Sequence, residues 1–282
     1  MCQAIPRETA PNGVPWQDLL PMTRHQKFIE LTLPLPWLLA SWALFASPVW
    51  WLGALPSFMF FLCALRLNHE AIHSNLGMSR RADIAILHFL SALMGGSNCA
   101  VAWNHMQHHR HAMGPKDREG HCGEMTALEV LRYGPRFPVD LNRAAWSMGG
   151  RKWRLRILQD WLGVAAFIIF ALWLGQRFLL LHLVAVAVAQ CLTAFFAVWI
   201  THQGTTNSGL AARSQRGVLA KAAYLMFYHR EHHLFPKVPV ARLPELADRL
   251  DRGIAGYAES RRPVVSFLDS EKVGRGSPIS SC

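Results

Sequence analysis

No charged side chain occurs between Leu31 and Leu65, a run of 35 residues bounded by Glu30 and Arg66. As one helix the run would extend about 52 Å, at about 1.5 Å per residue. The hydrocarbon core of a bilayer is only about 30 Å thick. Pro48, in the stretch "FASPVWW", cannot sit inside a continuous helix without breaking it. The run therefore reads as a tight hairpin of two spans, about 30–47 and 49–67, with Trp50 and Trp51 at its tip, where indole rings favour the membrane interface. A second pair, "WLGVAAFIIFALWLGQ" and "FLLLHLVAVAVAQCLTAFFAVWI", flanks Gly175-Gln176-Arg177 and predicts spans at about 158–175 and 178–201. In lipid the backbone must satisfy its own polar groups, and apolar runs of this length do so as helices. The fold class expected is all-α integral membrane, with four transmembrane helices in two hairpins. A chain that is 51% hydrophobic and 17% charged fits that class better than an ordinary soluble domain. Residues 1–29 read as an N-terminal segment, 30–262 as the membrane domain, and the polar, Ser- and Gly-rich 263–282 as a disordered tail. The six cysteines are scattered with no CxxC, which argues against a disulfide framework or a zinc knuckle.

Charge sets the expected orientation. In this plan Arg177 is the only Lys or Arg on the side of the hairpin turns, out of 29 in the chain. The positive-inside rule then places both termini and the long central loop in the cytoplasm, as a helical cap. The inner membrane of a bacterium is the expected location. Residues 84–103, "IAILHFLSALMGGSNCAVAW", are apolar enough for a fifth span. They are read instead as amphipathic helices in the membrane plane, because a fifth span would separate the histidine motifs on either side of it.

Those motifs are "HEAIH" (His69, His73), "HMQHH" (His105, His108, His109) and "HREHH" (His229, His232, His233), with His202 alone in "WITHQG". Residues three or four apart share one helix face, so each motif presents its imidazoles together. All nine fall at the same ends of the spans or in the segments next to them. Neutral imidazole is a common ligand of iron, zinc and copper. Nine ligands are too many for one metal, and a nitrogen-rich set does not suit magnesium or calcium. Catalytic zinc takes three protein ligands and structural zinc four. Two iron ions fit best.

The three motifs resemble those of the membrane fatty acid desaturase superfamily, and "HREHHLFPKVPVARLPEL" is similar to its third histidine box and the Leu-Phe-Pro that follows. The resemblance covers about residues 30–250. It implies a cytoplasmic di-iron centre ligated by His69, His73, His105, His108, His109, His229, His232 and His233, with His202 at the place of an extra ligand. Breaking an unactivated C–H bond needs an oxidant that no side chain supplies, and iron with O2 as co-substrate supplies it. Trp37, Trp42, Phe58, Phe61 and Phe195 are candidate linings of a substrate channel. Glu70, Glu231, Asn68 and Asn104 are candidates to orient the imidazoles, and His111 is a further one. His182 is expected at the membrane interface, His88 in the in-plane stretch, and Gln190 in a packing role within the bundle.

The function implied is fatty acyl desaturation, the introduction of a C=C bond into a lipid acyl chain. The same superfamily includes carotenoid ketolases and hydroxylases and other hydrocarbon oxygenases and decarboxylases, and the motifs alone do not separate these. A non-catalytic metal-binding membrane protein is a remote alternative: its spans would have to carry ions, and they offer only Gln190 and His182. There is no heme-binding HPGG stretch and no iron–sulfur cysteine cluster. Electrons are therefore expected from a separate ferredoxin, rubredoxin or b-type cytochrome with its reductase. Arg132, Arg136 and Arg143 are candidates to dock it, and Arg151, Lys152, Arg154 and Arg156 read as a membrane anchor. No nucleic acid partner is expected.

Overall fold

A computed structural model of the protein describes residues 8–266. Cys2, Cys282 and the expected tail beyond residue 266 lie outside it. Among the described residues the chain is helical throughout, without strands: α1 (Arg24–Thr32), α2 (Leu35–Ala46), α3 (Ala54–His73), α4 (Arg80–Met94), α5 (Asn98–His111), α6 (Ala127–Tyr133), α7 (Phe137–Met148), α8 (Gly150–Leu174), α9 (Arg177–Thr193), α10 (Ile200–His202), α11 (Gly217–Ala222), α12 (His229–Leu234) and α13 (Leu243–Gly253). A π-helical segment, Ala194–Trp199, joins α9 to α10.

Four stretches are long and apolar enough to cross a membrane: Arg24–Ala46, Trp50–His73, Gly150–Leu174 and Arg177–His202. The number and pairing match the expectation, but the helices run further at the end away from the hairpin tips. The first starts at Arg24, the second continues to His73 and the third starts at Gly150, because polar residues extend each apolar helix beyond its lipid-compatible part. The tips of the two hairpins lie together. The Arg177 guanidinium donates to the carbonyl oxygens of Phe45 (3.1 Å), Ala46 (2.9 Å) and Ser47 (2.7 Å). These carbonyls belong to the last turn of α2 and the residue after it, and helix ends leave such groups without helical partners. At the opposite end Arg66, on α3, is buried against Glu30, on α1, and donates 2.6 Å to the Tyr224 carbonyl. That ties the first hairpin to the C-terminal segment. The same segment forms a core of its own around Val238, Leu243, Leu246 and Leu250, on which Leu19 also packs.

Residues 84–103 do not form one straight helix. α4 and α5 are bent by 116° at the break between them. Gly95 ends α4 with φ +69°, a left-handed conformation that costs glycine little. Ser97 starts α5, its hydroxyl accepting 3.1 Å from the Ala100 amide. Other helices hold the bend. Asp160, fully buried on α8, accepts from the Ser97 hydroxyl (2.6 Å) and the Cys99 amide (2.8 Å), and lies 2.5 Å from Nδ1 of His88. From α9, His182 Nε2 meets the Leu93 carbonyl at 2.9 Å and Gln190 Nε2 donates to the Met94 carbonyl at 3.0 Å. His182, expected at the membrane interface, is fully buried within the protein and covers a carbonyl at the end of α4. Asp160 adds to the spans an ionisable group beyond the two polar ones named from sequence, and here it fastens one helix to another.

Candidate metal centre

The histidine motifs stand on short helical ends that meet at one place. His69 and His73 lie on the last turns of α3, and His105, His108 and His109 on the last turns of α5. The third motif forms α12, and His202 ends α10. The 116° bend turns α5 so that His105 Nε2 lies 3.0 Å from His73 Nε2. His69 Nε2 is 2.9 Å from His232 Nε2, and His109 Nε2 is 3.1 Å from His105 and 2.9 Å from His232. Thus His69, His73, His105, His109 and His232 gather around one point. A second group forms beside it. His108 Nε2 lies 3.1 Å from His202 and 3.2 Å from His233, while His229 Nε2 lies 3.0 Å from His202 and 3.2 Å from His233. The groups abut, with the rings of His109 and His233 stacked at 4.5 Å. All nine histidines singled out in the sequence are brought together, five in one group and four in the other.

Every contact within the groups is made by Nε2. Burial, reinforced by repulsion from the neighbouring imidazoles, holds His109, His229, His232 and His233 well below the usual histidine range. Neutral imidazoles keep a lone pair on one nitrogen. Two such nitrogens about 3 Å apart can share a proton, but four or five around a single point cannot all be satisfied that way. A cation among them satisfies all of them. The donor set is nitrogen only, which fits a transition metal and not magnesium or calcium. The residues present therefore fit two metal ions, with His69, His73, His105 and His232 able to hold one and His108, His202, His229 and His233 the other, and His109 adjoins the first through His105 and His232.

Two carboxylates fix the ring orientation, and neither was among the sequence candidates. Asp117 Oδ2 lies 2.6 Å from His108 Nδ1 and Glu119 Oε1 2.9 Å from His105 Nδ1. A proton on Nδ1, held by an acceptor, leaves Nε2 free as a ligand. Asp117 also accepts from the amides of Met113 (2.7 Å) and Gly120 (2.8 Å). Burial works to raise its pKa, but the bond to His108 and these amides prevail and hold the carboxyl at about 2. The signal in the sequence was "GPKDREG", a loop with two carboxylates just beyond the second motif.

The orienting residues expected from within the motifs do other work. Glu231 touches no imidazole of the centre. It accepts from Ser214 (2.6 Å), Arg216 (3.1 Å) and Tyr257 (3.3 Å). Glu70 lies 3.5 Å from His69 Nδ1, too far for a hydrogen bond, and accepts 3.3 Å from the Val240 amide. Asn104 donates to the carbonyls of Ala100 and Leu141, both at 2.8 Å, and so ties α5 to α7. Asn68 lies on a cavity wall. His111 lies in neither histidine group. A third cluster, His88, Cys99 and Asp160, sits at the α4–α5 bend, where the Asp160 oxygens already accept protein hydrogen bonds.

An apolar cavity of about 450 Å³ reaches the centre. It is lined by His69, His105 and His229 of the centre, by apolar residues such as Met94, Val101, Leu141 and Val198, and by Asn142, Arg143 and Trp161. None of the five aromatics expected to line a channel lies on it. Phe61 is buried in the bundle core, Phe58 packs on Phe196 at 5.0 Å, Phe195 stacks on Trp199 at 4.9 Å, and Trp42 packs on His182 at 5.7 Å. Trp37 donates 2.6 Å to the Tyr224 hydroxyl. Their sequence positions placed them in spans but could not tell which face looks inward.

No curated protein matches the chain. The sequence model of fatty acid desaturases matches residues 40–264, which takes in all three histidine motifs, His202, both carboxylates and every wall of the cavity. With four candidate membrane spans and paired histidine groups at one end of them, the chain is a multi-pass membrane oxidoreductase that belongs to the fatty acid desaturase family.

Proposed function

We propose that the protein is an O2-dependent di-iron desaturase that introduces a C=C bond into a fatty acyl chain. The observation that carries this reading is the convergence of nine imidazoles beside an apolar cavity that His69, His105 and His229 help to line. His69, His73, His105 and His232, with His109 beside them, would hold one iron, and His108, His202, His229 and His233 the other. Bound iron supplies, with O2, the oxidant that breaks an unactivated C–H bond. The residues of the chain do the rest. Asp117 and Glu119 keep the Nδ1 protons of His108 and His105 in place, so that both rings present Nε2 inward. The apolar walls take up hydrocarbon and leave water little to bond to, and His69, His105 and His229 line the cavity where the chain is attacked. Desaturation removes two hydrogen atoms from the chain and, with two electrons and two protons from outside, reduces O2 to two waters. A separate donor protein supplies those electrons. The distribution of Lys and Arg supports a cytoplasmic position for the centre and both termini.

The test is a comparison of the iron-loaded protein with His232→Ala. The intact protein is expected to hold close to two irons per chain and to give an acyl product with a new double bond and no added oxygen. The variant is expected to lose iron and turnover together while still inserting into membranes. Full activity in His232→Ala overturns the assignment of the centre, and an oxygenated product makes the protein an oxygenase rather than a desaturase.

A further inference from the structure

The group formed by His108, His202, His229 and His233 takes three of its four members from two segments: His202 ends α10, and His229 and His233 stand on α12. The other group takes only His232 from them, while His69, His73 and His105 stand on α3 and α5. The chain leaves His202 through residues 203–213 and returns at α12, so the fit of that loop against α12 sets the spacing of the three rings. The Arg230 amide donates to the Arg213 carbonyl at 3.1 Å, a direct tie between the two. A side chain from the other end of the protein also joins them. The Glu8 carboxylate accepts from Arg230 on α12, from Nε at 3.0 and 3.1 Å and from Nη2 at 2.6 Å. It accepts as well from the Ala211 amide at 3.0 Å, and the Glu8 amide donates to the Gly209 carbonyl at 3.0 Å. Arg230 directly follows His229 and is 3% exposed. Its guanidinium lies over the Tyr257 ring at 4.0 Å and donates to the Tyr257 carbonyl (3.2 Å) and the Ser260 hydroxyl (3.0 Å), so Glu8 is its charged partner among the described residues. A buried cation deprived of its anion is costly, and a forked pairing of arginine with a carboxylate fixes direction as well as charge. Glu8 lies outside residues 40–264, the stretch that the family's sequence model matches.

We infer that Glu8 is a positioning residue of the four-histidine site: through Arg230 and the loop after His202, the N-terminal segment clasps that site shut. This rests on the reading of the centre given above. It adds that a residue far from every histidine motif holds one metal ion in preference to the other, because the clasp spans three ligands of one site and only one of its neighbour.

The experiment challenges the iron-loaded full chain, in detergent, with chelators of graded strength and reads iron per chain, with the unfolding temperature taken on the same samples. Glu8→Ala is expected to give up one iron at about tenfold lower chelator strength than the unaltered protein, the low end of the usual cost of losing a group behind a metal ligand. The second iron should stay, leaving a plateau at one per chain. Adding His202→Ala to Glu8→Ala should cost no further iron, whereas adding His73→Ala should remove the one that is left. Glu8→Gln keeps an acceptor for the Ala211 amide and removes the charge, so it should show the same selective loss in smaller degree, and it decides the matter if Glu8→Ala does not fold. Arg230→Met should reproduce Glu8→Ala, and joining those two substitutions should add little, since both remove one interaction. Asp18→Ala breaks another ion pair of the N-terminal segment, to Arg249 at 2.6 Å, and should leave both irons in place. Two irons held as tightly in the Glu8 variants as in the unaltered protein overturn the inference. So do two irons lost together, since Glu8 would then serve the fold alone, and so does an equal selective loss in Asp18→Ala. An unaltered protein that does not hold two irons sinks the reading of the centre, whereas two irons without a selective loss sink the clasp alone.

Discussion

Asp117 and Glu119 lie on a loop without ligating histidines, yet each fixes the ring of one imidazole. Asp117→Asn is expected to weaken iron retention by about 10- to 100-fold, the usual cost of losing the group behind a metal-bound histidine. Competition with a graded series of chelators measures this, and retention equal to that of the unaltered protein would remove Asp117 from the site. Glu231 makes the opposite case. It lies inside a histidine motif but binds Arg216, which is itself buried and also meets Asp251 at 3.2 Å. Glu231→Leu leaves that guanidinium short of a charge partner, a loss of about 3–5 kcal/mol for breaking a buried pair. The expected outcome is a clear fall in thermal stability, with iron affinity changed much less than in Asp117→Asn. Proximity in sequence suggested Glu231 and passed over Asp117, because which atom meets an Nδ1 is decided by how a loop folds back.

The π-helical segment and the α4–α5 bend are the elements that position the ligands. The π segment interrupts the α-helical register just before His202 and packs Phe195 against Trp199, whose indole donates 2.6 Å to the Met125 carbonyl. Such insertions are frequent at functional sites. At the bend Asp160 holds the start of the helix that ends in His105, His108 and His109. Asp160→Leu would orphan the Ser97 hydroxyl and the Cys99 amide, at roughly 1–3 kcal/mol for each buried group. The expected result is a lower unfolding temperature and a lower iron content together, as α5 loses its fixed direction. Unchanged iron content in a destabilised protein would make Asp160 a packing residue only. His182 and Gln190 are part of the same device, since they cover the last carbonyls of α4 from the fourth span.

On the scale of the whole molecule, the predictions of orientation and of a donor partner both rest on charge. Tags near Gly120 and at the C-terminus are expected to read cytoplasmic, and a tag at Gly175–Arg177 external. Opposite results for the first two would contradict the convergence of the histidine groups on one side. Arg132 is exposed on α6. If it steers an acidic donor, Arg132→Glu raises the donor concentration for half-maximal turnover at about 0.1 M salt, where the Debye length is about 10 Å, and has little effect near 1 M, where it is about 3 Å. Much of the architecture was legible in the chain. An uncharged run too long for one span, a proline in its middle and a second apolar pair fixed four helices in two hairpins, because the bilayer leaves the backbone few alternatives. Histidines spaced three and four apart fixed which side chains share a face, because helical periodicity is local. Tertiary structure decided the rest, since each of these outcomes depends on contacts between residues far apart in sequence. It divided nine imidazoles into groups of five and four. It recruited Asp117 and Glu119, and it buried His182 against a carbonyl. It lined the cavity with Met94, Val101, Leu141 and Val198 in place of the aromatics that composition suggested, because which face of a span looks inward is set by packing against its neighbours and not by its own apolar content.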